Sequence, residues 1–342
     1  MIDKVIKGKL RSTTGVFFGS GQSNEYKDSI FFRDSQNNII IPGSSIAGVL
    51  RAYIARISPY ITEDSCVQLV EGQKDEFCNC KVCQMFGSIN TRPDQESMPS
   101  KVWVYHATPI TRCKAFLRDG ITIDRESESS FRESKAKFNF EVIPKNTIFD
   151  LHIELEKGLN KEQEILLCSA LSEWEKGRCF LGGLHSRGLG NFVLEDLNIY
   201  ELDISDSNKL LKVLNRNSVL IRKNEFLQEK LKEGLKIINE KHQIIQKGTY
   251  HSFFQFDFNI NFDSGVIVNN FKNNVRYSYD FFPITENGEF IIPGSSLRGV
   301  LRSHAEKIAK TIVNENCENL EDFLRICPAC NPGGVSEKIP LT

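Results

Sequence analysis

A near-identical duplication constrains this chain more than any other feature of its sequence. Residues 39–51 read IIIPGSSIAGVLR, and residues 290–302 read FIIPGSSLRGVLR. In each copy an apolar, β-branched run ends at Pro-Gly, and two serines then open an amphipathic segment, here 46–57 and 297–312. This pattern predicts a strand, a tight turn and a capped helix in both places.

The spacing of the two copies predicts the domain organisation. A chain of 342 residues exceeds the usual size of one domain, and the offset leaves room for one complete unit, a connector and the beginning of another unit. We predict a first unit over 1–206, a connector over 207–248 with a basic helical pattern, and a partial second unit over 249–342. The connector is a solvated segment or a strut that faces phosphates.

The two predicted helix starts suit an anion such as a phosphate. Serine hydroxyls and free backbone N–H groups converge there, at the positive end of the helix dipole. An ordinary N-cap explains the serines equally well, but it does not require the arginine that recurs one or two turns later. The candidate residues are Ser44, Ser45 and Arg51 in the first copy and Ser295, Ser296, Arg298 and Arg302 in the second.

Composition limits the cellular setting. The formal net charge is -1, so any basic surface for a nucleic acid is local. The N-terminus lacks the pattern of a signal peptide, and no apolar run approaches the ~20 residues that cross a bilayer. We predict a cytoplasmic protein with no membrane partner, in which ten cysteines serve as metal ligands or buried thiols rather than disulfides.

Cysteine spacing predicts a structural zinc site. Cys78, Cys80 and Cys83 form a compact knuckle, and Cys66 upstream supplies a fourth thiolate, as tetrahedral Zn²⁺ prefers. A nearby acid in place of Cys66, an iron–sulfur cluster and unligated thiols are the alternatives. A second knuckle begins with three thiolates at Cys317, Cys327 and Cys330, whereas Cys113, Cys168 and Cys179 are isolated and read as buried apolar residues.

Two further segments carry candidate contacts. The segment 116–127, a charge-rich stretch that reaches Lys137 and a strand-like run over 138–143 predict an extended hairpin, unless the charge-rich stretch is a disordered surface loop. A glycine-rich loop follows the helix predicted over 161–177, and its backbone N–H groups suit a polyanion that a nearby arginine also pairs with; a purely structural turn is the alternative. The candidate residues of this loop are Gly182, Gly183, His185, Ser186, Arg187, Gly188 and Gly190.

These motifs, in this order, resemble the RAMP superfamily, specifically the backbone subunit of type III CRISPR effector complexes. The resemblance covers residues from about 1 to 200 and resumes from about 250. It rests on the repeated Pro-Gly-Ser-Ser helix start, the cysteine knuckle before Met85-Phe86-Gly87, the hairpin with Ile123-Asp124-Arg125, and the glycine-rich loop. The resemblance implies an α+β fold with a ferredoxin-like, RRM-type βαββαβ core and with zinc-knuckle and thumb-hairpin insertions. The repeat of this unit, with the second copy truncated, is the main departure from the family.

The resemblance also implies a function in antiviral defence. Such subunits bind a CRISPR guide RNA between the helix start and the glycine-rich loop, beside other effector-complex subunits, and their thumb, here with Ile123 and Arg125, interrupts pairing with the complementary target RNA. In cleaving members an aspartate ahead of the Pro-Gly-Ser-Ser motif cuts the target, and Asp28 matches that position. In the second copy the matching position falls on Ser278 or Tyr279, and Asp280 is adjacent to it.

The chemistry of cleavage leaves alternatives open. A splayed nucleotide permits in-line attack by a 2′-hydroxyl, and Asp28 would act as the base or as a ligand of Mg²⁺ or Mn²⁺. A loop aspartate can equally be a solvated residue, in which case the protein is a scaffold that binds guide RNA without cleaving. A guide-processing RAMP endoribonuclease is a third, weaker alternative.

Overall fold

The structure is a computed structural model with two compact units. It describes residues 2–19, 31–62, 64–66, 78–88, 97–111, 113–121, 137–202, 207–214, 220–245, 259–266, 268, 283–286 and 288–314. The first unit comprises Met1–Arg118, Asn139–His185 and Leu189–Val266, and the second comprises Asp119–Phe138, Ser186–Gly188 and Ile267–Thr342.

The described elements are ten strands and six α-helices. The strands are β1 (Ile2–Ser12), β2 (Val102–Val104), β3 (Phe116–Ile121), β4 (Lys137–Val142), β5 (Ile148–Glu156), β6 (Cys179–Phe180), β7 (Asn191–Leu202), β8 (Leu220–Arg222), β9 (Thr285–Glu286) and β10 (Glu289–Phe290). The helices are α1 (Gly43–Ile61), α2 (Lys81–Phe86), α3 (Lys161–Glu175), α4 (Ser207–Leu214), α5 (Asn224–Ile245) and α6 (Gly294–Asn314). Among them, no helix combines the length and apolarity that a membrane crossing needs.

An antiparallel sheet is the centre of the first unit. Its strand order is β2-β5-β1-β7-β6, and β8 pairs with β7. Each of the pairings β2–β5, β5–β1, β1–β7, β6–β7 and β7–β8 is antiparallel. The predicted α+β class is therefore confirmed.

Alternation along β5 shows how the sequence builds the core. Phe149, Leu151, Ile153 and Leu155 are buried, whereas the residues between them are exposed or half-buried. This period of two gives the sheet one apolar face. On α1 and α3 the buried residues follow helical spacing, and the fully buried Trp174 belongs to the same core.

Local signals set the limits of α3. Asn160 caps its N-terminus: the Asn160 side chain accepts a hydrogen bond from the Gln163 backbone N–H, and the Gln163 side chain accepts one from the Asn160 backbone N–H, both at 2.9 Å. The helix then runs to Glu175, close to the predicted range of 161–177. The prediction of a core-facing helix is also confirmed.

The basic segment after β7 packs on the first unit through α5. Leu227 of α5 is buried in the core, and a Cβ atom on Gly234 would lie 2.8 Å from the Ile165 side chain of α3. Lys230 pairs with Glu164 at 3.0 Å. The sequence predicts that this segment is either a solvated connector or a strut that faces phosphates. Helix α5 is not a fully solvated connector, because one of its faces carries apolar residues that reach the core.

Several predicted boundaries differ from the observed ones. The alternating run over 5–18 predicts one first strand, but β1 ends at Ser12. Residues 39–41 form isolated bridges at Ile39 and Ile41 rather than the predicted strand, and Ile41 exchanges both of its backbone hydrogen bonds with Ala107, each 2.9 Å long.

The two runs of the predicted hairpin contain the paired strands β3 and β4, and residues 122–127 of the first run lie outside the described residues. A further alternating pattern predicts a strand from Phe253, whose start also lies outside the described residues.

Candidate nucleic-acid interface and metal centre

Helix α1 begins at the first copy of the motif, tightly packed against β2. A Cβ atom on Gly43 would overlap the carbonyl oxygen of Val104, so only glycine fits this close approach. The Gly43 N–H donates to His106 Nδ1 at 3.0 Å. Ser44 is exposed and Ser45 is half-buried. The helix start is thus fixed from behind by β2 and open at its serines.

The expectation that a serine caps α1 is wrong. Pro42 is the N-cap residue, and no side chain caps the helix there. The Pro42 carbonyl accepts hydrogen bonds from the backbone N–H groups of Ser45 and Ile46, at 3.0 and 3.2 Å. The serine hydroxyls are therefore not used as the cap, and they lie in the first turn.

Helix α6 repeats this geometry at the second copy of the motif. The Pro293 carbonyl accepts from the N–H groups of Ser296 and Leu297, at 2.9 and 3.3 Å. Neither α1 nor α6 carries an acidic residue in its first turn, whereas α3 carries Glu162 and Glu164 there. An acid at that place would compensate the helix dipole, so α1 and α6 both leave the positive end of the helix available to an anion.

The neck of the glycine-rich loop is held closed by backbone contacts within the first unit. The Leu181 N–H donates to the Gly190 carbonyl and the Gly190 N–H to the Gly15 carbonyl, both at 2.9 Å. Gly182 has a positive φ of 93°, and a Cβ atom there would overlap the Phe17 carbonyl oxygen. Gly183 adds a hydrogen bond from its N–H to that same oxygen at 2.9 Å. The glycines thus have a structural role at the neck, as the structural alternative proposed.

The tip of this loop is polar and exposed. His185, Ser186 and Arg187 form a short 3-10 turn, and all three are exposed, as is Gly188. The Arg187 guanidinium lies over the Phe138 ring at 5.8 Å from its centroid. A ring face favours a cation there without neutralising its charge.

The second compact unit brings the loop tip and the start of α6 together. A Cβ atom on Gly294 would lie 2.8 Å from the Arg187 carbonyl oxygen, and Arg298 Nη1 donates to the Ser186 carbonyl at 3.1 Å. Two predicted site elements that are about 100 residues apart in sequence therefore adjoin. We call this group of residues 186–188, 294–296 and 298 the arginine junction.

The other two predicted arginines have protein partners. Arg51 Nη2 lies 3.2 Å from Cys83 Sγ, and Arg302 Nε donates to Glu306 at 2.8 Å. Arg51 is half-buried, whereas the Arg302 side chain is 48% exposed. The structure thus places Arg51 beside the cysteine knuckle rather than at an open helix start.

The four predicted cysteines of the first knuckle form one buried cluster. The Sγ atoms of Cys66, Cys78, Cys80 and Cys83 all lie within 4.8 Å of one another, and Cys66 and Cys83 are 3.6 Å apart. Cys80 is the N-cap of α2 and Cys83 lies one turn later, which aligns their side chains. Asp64, a nearby acid, accepts a hydrogen bond from the Lys81 N–H at 3.3 Å.

This donor set fits a tetrahedral metal ion. Four thiolates about 2.3 Å from a zinc ion would be about 3.8 Å apart, close to the observed sulfur separation. Disulfide bonding needs about 2.05 Å, so the cluster is not a pair of disulfides. The cluster could bind a metal such as zinc. Hydrogen bonds with the Cys66 and Cys80 thiols, together with burial, raise the pKa of Cys83.

The isolated cysteines differ from this cluster. Cys168 and Cys179 are buried in the core, and Cys113 is half-buried. Burial raises the pKa of Cys168 to about 12 and that of Cys179 well above its ordinary value. These thiols therefore stay protonated and behave as small apolar residues.

A buried carboxylate that the sequence did not point out fixes the segment after the predicted catalytic loop. Glu141 of β4 is 4% exposed; it accepts from the Phe31 N–H at 3.0 Å and from Arg33 Nη2 at 3.2 Å with each of its oxygens. The only hint in the sequence is an acid within the apolar run of β4. Glu141 thereby ties residues 31–33 to the base of the hairpin.

Several predicted site residues lie outside the described part of the chain. They are Asp28, Ile123, Arg125, Asp280, Cys317, Cys327 and Cys330.

Comparison with known proteins agrees with these motifs. The RAMP superfamily profile matches residues 9–193 and 272–329, which include the cysteine cluster, the glycine-rich loop and the second helix start. A relative from Methanocaldococcus jannaschii, named CRISPR system Cms endoribonuclease Csm3, is 25% identical over 212 residues, which cover 57% of this chain and 79% of the relative. Because the family profile matches well over half of its residues, the chain belongs to the RAMP superfamily.

Proposed function

We propose that this protein is a guide-RNA-binding backbone subunit of a type III CRISPR effector complex in the cytoplasm, and that it cleaves guide-paired target RNA through Asp28. The family and the name of the relative support the CRISPR assignment. Other effector-complex subunits, the guide and the complementary target are then its partners. The alternative is a scaffold that binds guide RNA without cleaving.

The arginine junction is the observation that carries RNA binding. It combines the dipole end of a 21-residue helix, the Arg298 guanidinium and the exposed loop tip with Arg187. The first turn of α6 contains no acidic residue that would repel a phosphate. Contacts of this kind read the RNA backbone and not its bases, so one surface can hold guides of many sequences.

We also propose an RRM-type core in the first unit and a second copy of its helix-start motif in the second unit. In the first unit, β1, α1, β2, β5, α3 and β7 follow one another as βαββαβ, and the sheet order β2-β5-β1-β7 is that of a ferredoxin-like fold. The cysteine knuckle and the β3–β4 hairpin interrupt this series as insertions. In the second copy, the support is the shared backbone geometry at Pro42 and Pro293.

The proposed reaction is an attack by a ribose 2′-hydroxyl on the adjacent phosphorus. The new O–P bond forms as the bond to the 5′-oxygen of the next nucleotide breaks, the 2′-proton leaves to a base, and the departing oxygen takes up a proton. The Asp28 carboxylate would remove the 2′-proton. Alternatively, it would hold Mg²⁺ or Mn²⁺, and the metal would stabilise charge on the phosphate. Glu141 supports the placement of this loop, because it fixes residues 31–33 just after it.

RNA binding is tested with Arg187→Ala in the assembled complex. We expect Arg187→Ala to weaken the binding of guides of different sequence by similar factors. The slope of log K against log[salt] should fall by about one, since one phosphate contact is lost. Arg178→Ala is the control, because Arg178 is an exposed arginine that pairs with Glu173. A change in sequence preference with an unchanged salt slope would contradict a phosphate contact.

Cleavage is tested with Asp28→Ala in single-turnover cutting of a guide-matched RNA. We expect cutting to fall at least ~10²-fold while guide and target binding persist. Asp28→Asn should behave likewise, because an amide is a poor base and a weak Mg²⁺ ligand. If Asp28→Ala cuts at the wild-type rate, the result favours the scaffold alternative. If the double substitution Asp28→Ala and Asp280→Ala then abolishes cutting, Asp280 is the active acid instead.

We further propose zinc as the metal of the knuckle formed by Cys66, Cys78, Cys80 and Cys83. Its thiolate donors and tetrahedral spacing match structural zinc sites, which couple metal binding to folding. The knuckle lies between α1 and α3, so the metal would fix the loop that connects α1 to β2.

A further inference from the structure

We infer that Arg51 is a positioning residue of the metal knuckle, where its guanidinium hydrogen-bonds the Cys83 thiolate and offsets part of the charge of the four-sulfur site. This inference rests on the metal site proposed above. It assigns Arg51 a role different from the phosphate contact that its place in the repeated motif suggests.

The contact is direct and well supported by its surroundings. Arg51 Nη2 lies 3.2 Å from Cys83 Sγ, and the Cys83 side chain is fully buried. Leu50 and Ile54 on α1 are also fully buried and anchor the helix to the core on either side of Arg51. The guanidinium is therefore held at the sulfur by the same helix whose start forms a candidate anion site.

Charge explains why a cation is useful at this place. Four thiolates around a divalent ion carry a net charge of about 2−, and burying an uncompensated charge is unfavourable. Arg stays protonated at all ordinary pH values and presents N–H donors in a fixed geometry. A donor at one sulfur lowers the electron density that this sulfur offers to electrophiles, and it orients the side chain toward the metal.

The second copy of the motif provides an internal comparison. The repeat places Arg302 and Glu306 where the first copy has Arg51 and Ala55. Arg302 pairs with Glu306 one turn further along α6, at 2.8 Å. The residue that matches Glu306 in the first copy is Ala55, and there Arg51 Nη2 lies 3.2 Å from Cys83 Sγ.

The test compares Arg51→Gln, Arg51→Lys and the control Arg56→Gln in the full-length protein. Arg56 is exposed on the same helix. Zn²⁺ affinity is measured by competition with a chromogenic chelator, and Co²⁺ loading reports the sulfur-to-metal charge-transfer band. We expect Arg51→Gln to weaken Zn²⁺ binding about 10- to 100-fold and to shift the band. Arg51→Lys should retain part of the affinity, and Arg56→Gln should match wild type.

Three results would overturn this inference, and each is distinct. If wild type binds neither ion, the metal site itself is wrong. If wild type binds Zn²⁺ and Arg51→Gln binds it equally well with an unshifted Co²⁺ band, the site stands and the role of Arg51 falls. If Arg51→Gln leaves both the Zn²⁺ affinity and the Co²⁺ band unchanged and also reduces the salt slope of guide binding by about one, Arg51 is a phosphate ligand instead.

Discussion

Loss of the Glu141 carboxylate should destabilise the first unit strongly. Glu141→Ala removes the acceptor for the Phe31 N–H and for both contacts of Arg33 Nη2. The substitution leaves a guanidinium and a backbone donor without this partner at a position that is nearly closed to water. It also releases residues 31–33 from β4, directly after the loop in which we place the catalytic aspartate.

The magnitude follows from the burial of each partner. Breaking a buried ion pair costs about 3–5 kcal/mol, because a charge is left uncompensated. The Arg33 side chain is 29% exposed and also donates to the Asn37 carbonyl at 3.4 Å, so it regains some solvation. A buried N–H without a partner adds about 1–3 kcal/mol. If the solvation that Arg33 regains offsets about half of the cost of the broken pair, the total loss is about 3–4 kcal/mol, or roughly 6–16 °C in Tm for a unit of this size.

The control is a carboxylate–arginine pair on the surface of the six-stranded sheet of the first unit. Arg11 and Glu195 are closer, at 2.8 Å, but their side chains are 32% and 37% exposed. Solvent screens such a pair, so Glu195→Ala should cost no more than about 1 kcal/mol.

Thermal and urea unfolding of both variants measure this difference, and Glu141→Gln should fall between wild type and Glu141→Ala. Equal, small losses for Glu141→Ala and Glu195→Ala would refute the burial argument. Cleavage that stays at the wild-type rate in folded Glu141→Ala would show that residues 31–33 do not position the Asp28 segment that we propose to be catalytic.

Three further predictions concern other parts of the structure. Cys80→Ser should lose tightly bound zinc, together with stability of the first unit, as elemental analysis and chelator-dependent unfolding would show; folding that ignores chelators would contradict it. Cys168 and Cys179 should resist iodoacetamide in the native protein at pH 8 and react after unfolding, because burial raises the pKa of both thiols and closes access to them; rapid native labelling, read by mass spectrometry, would refute this. Gly43→Ala should cost more than 1 kcal/mol in urea unfolding, since its Cβ would overlap the Val104 carbonyl and force the backbone apart; unchanged unfolding would show that the contact is loose.

Local patterns in the sequence predicted local structure well. Helix α3 could be placed from its apolar spacing, and both Pro-Gly-Ser-Ser motifs do begin helices. The prediction that four cysteines meet in one cluster is confirmed, and part of it is local because Cys80 and Cys83 are one helical turn apart. The helix starts and this pair depend on residues within one or two turns of each other, so a sequence pattern records them directly, whereas Cys66 joins Cys83 over 17 residues.

Contacts over long sequence distances could not be predicted in this way. The partners Glu141 and Arg33 are 108 residues apart, and Arg298 reaches the Ser186 carbonyl over 112 residues. Neither pair has a spacing rule, because the topology of the sheet and the hairpin decides which residues meet. The contact of Arg51 with the knuckle could not be predicted either. The motif around Arg51 is nearly the same as the motif around Arg302, so the motif does not tell the partners of the two arginines apart.

The two copies of the motif begin their helices in the same way, but the two helices differ in how deeply they are buried. Leu50 in α1 is fully buried, whereas its counterpart Leu301 in α6 is 67% exposed. The same apolar residue therefore contributes fully to one core and little to the surroundings of the other helix, a difference of about 1–2 kcal/mol per side chain. The helix start itself is unchanged, because its backbone hydrogen bonds to Pro42 and Pro293 depend only on adjacent residues. An anion site built from that start can thus persist in both copies. Among the described residues, the helix of the first copy is the one that packs into a core and links this start to the cysteine knuckle.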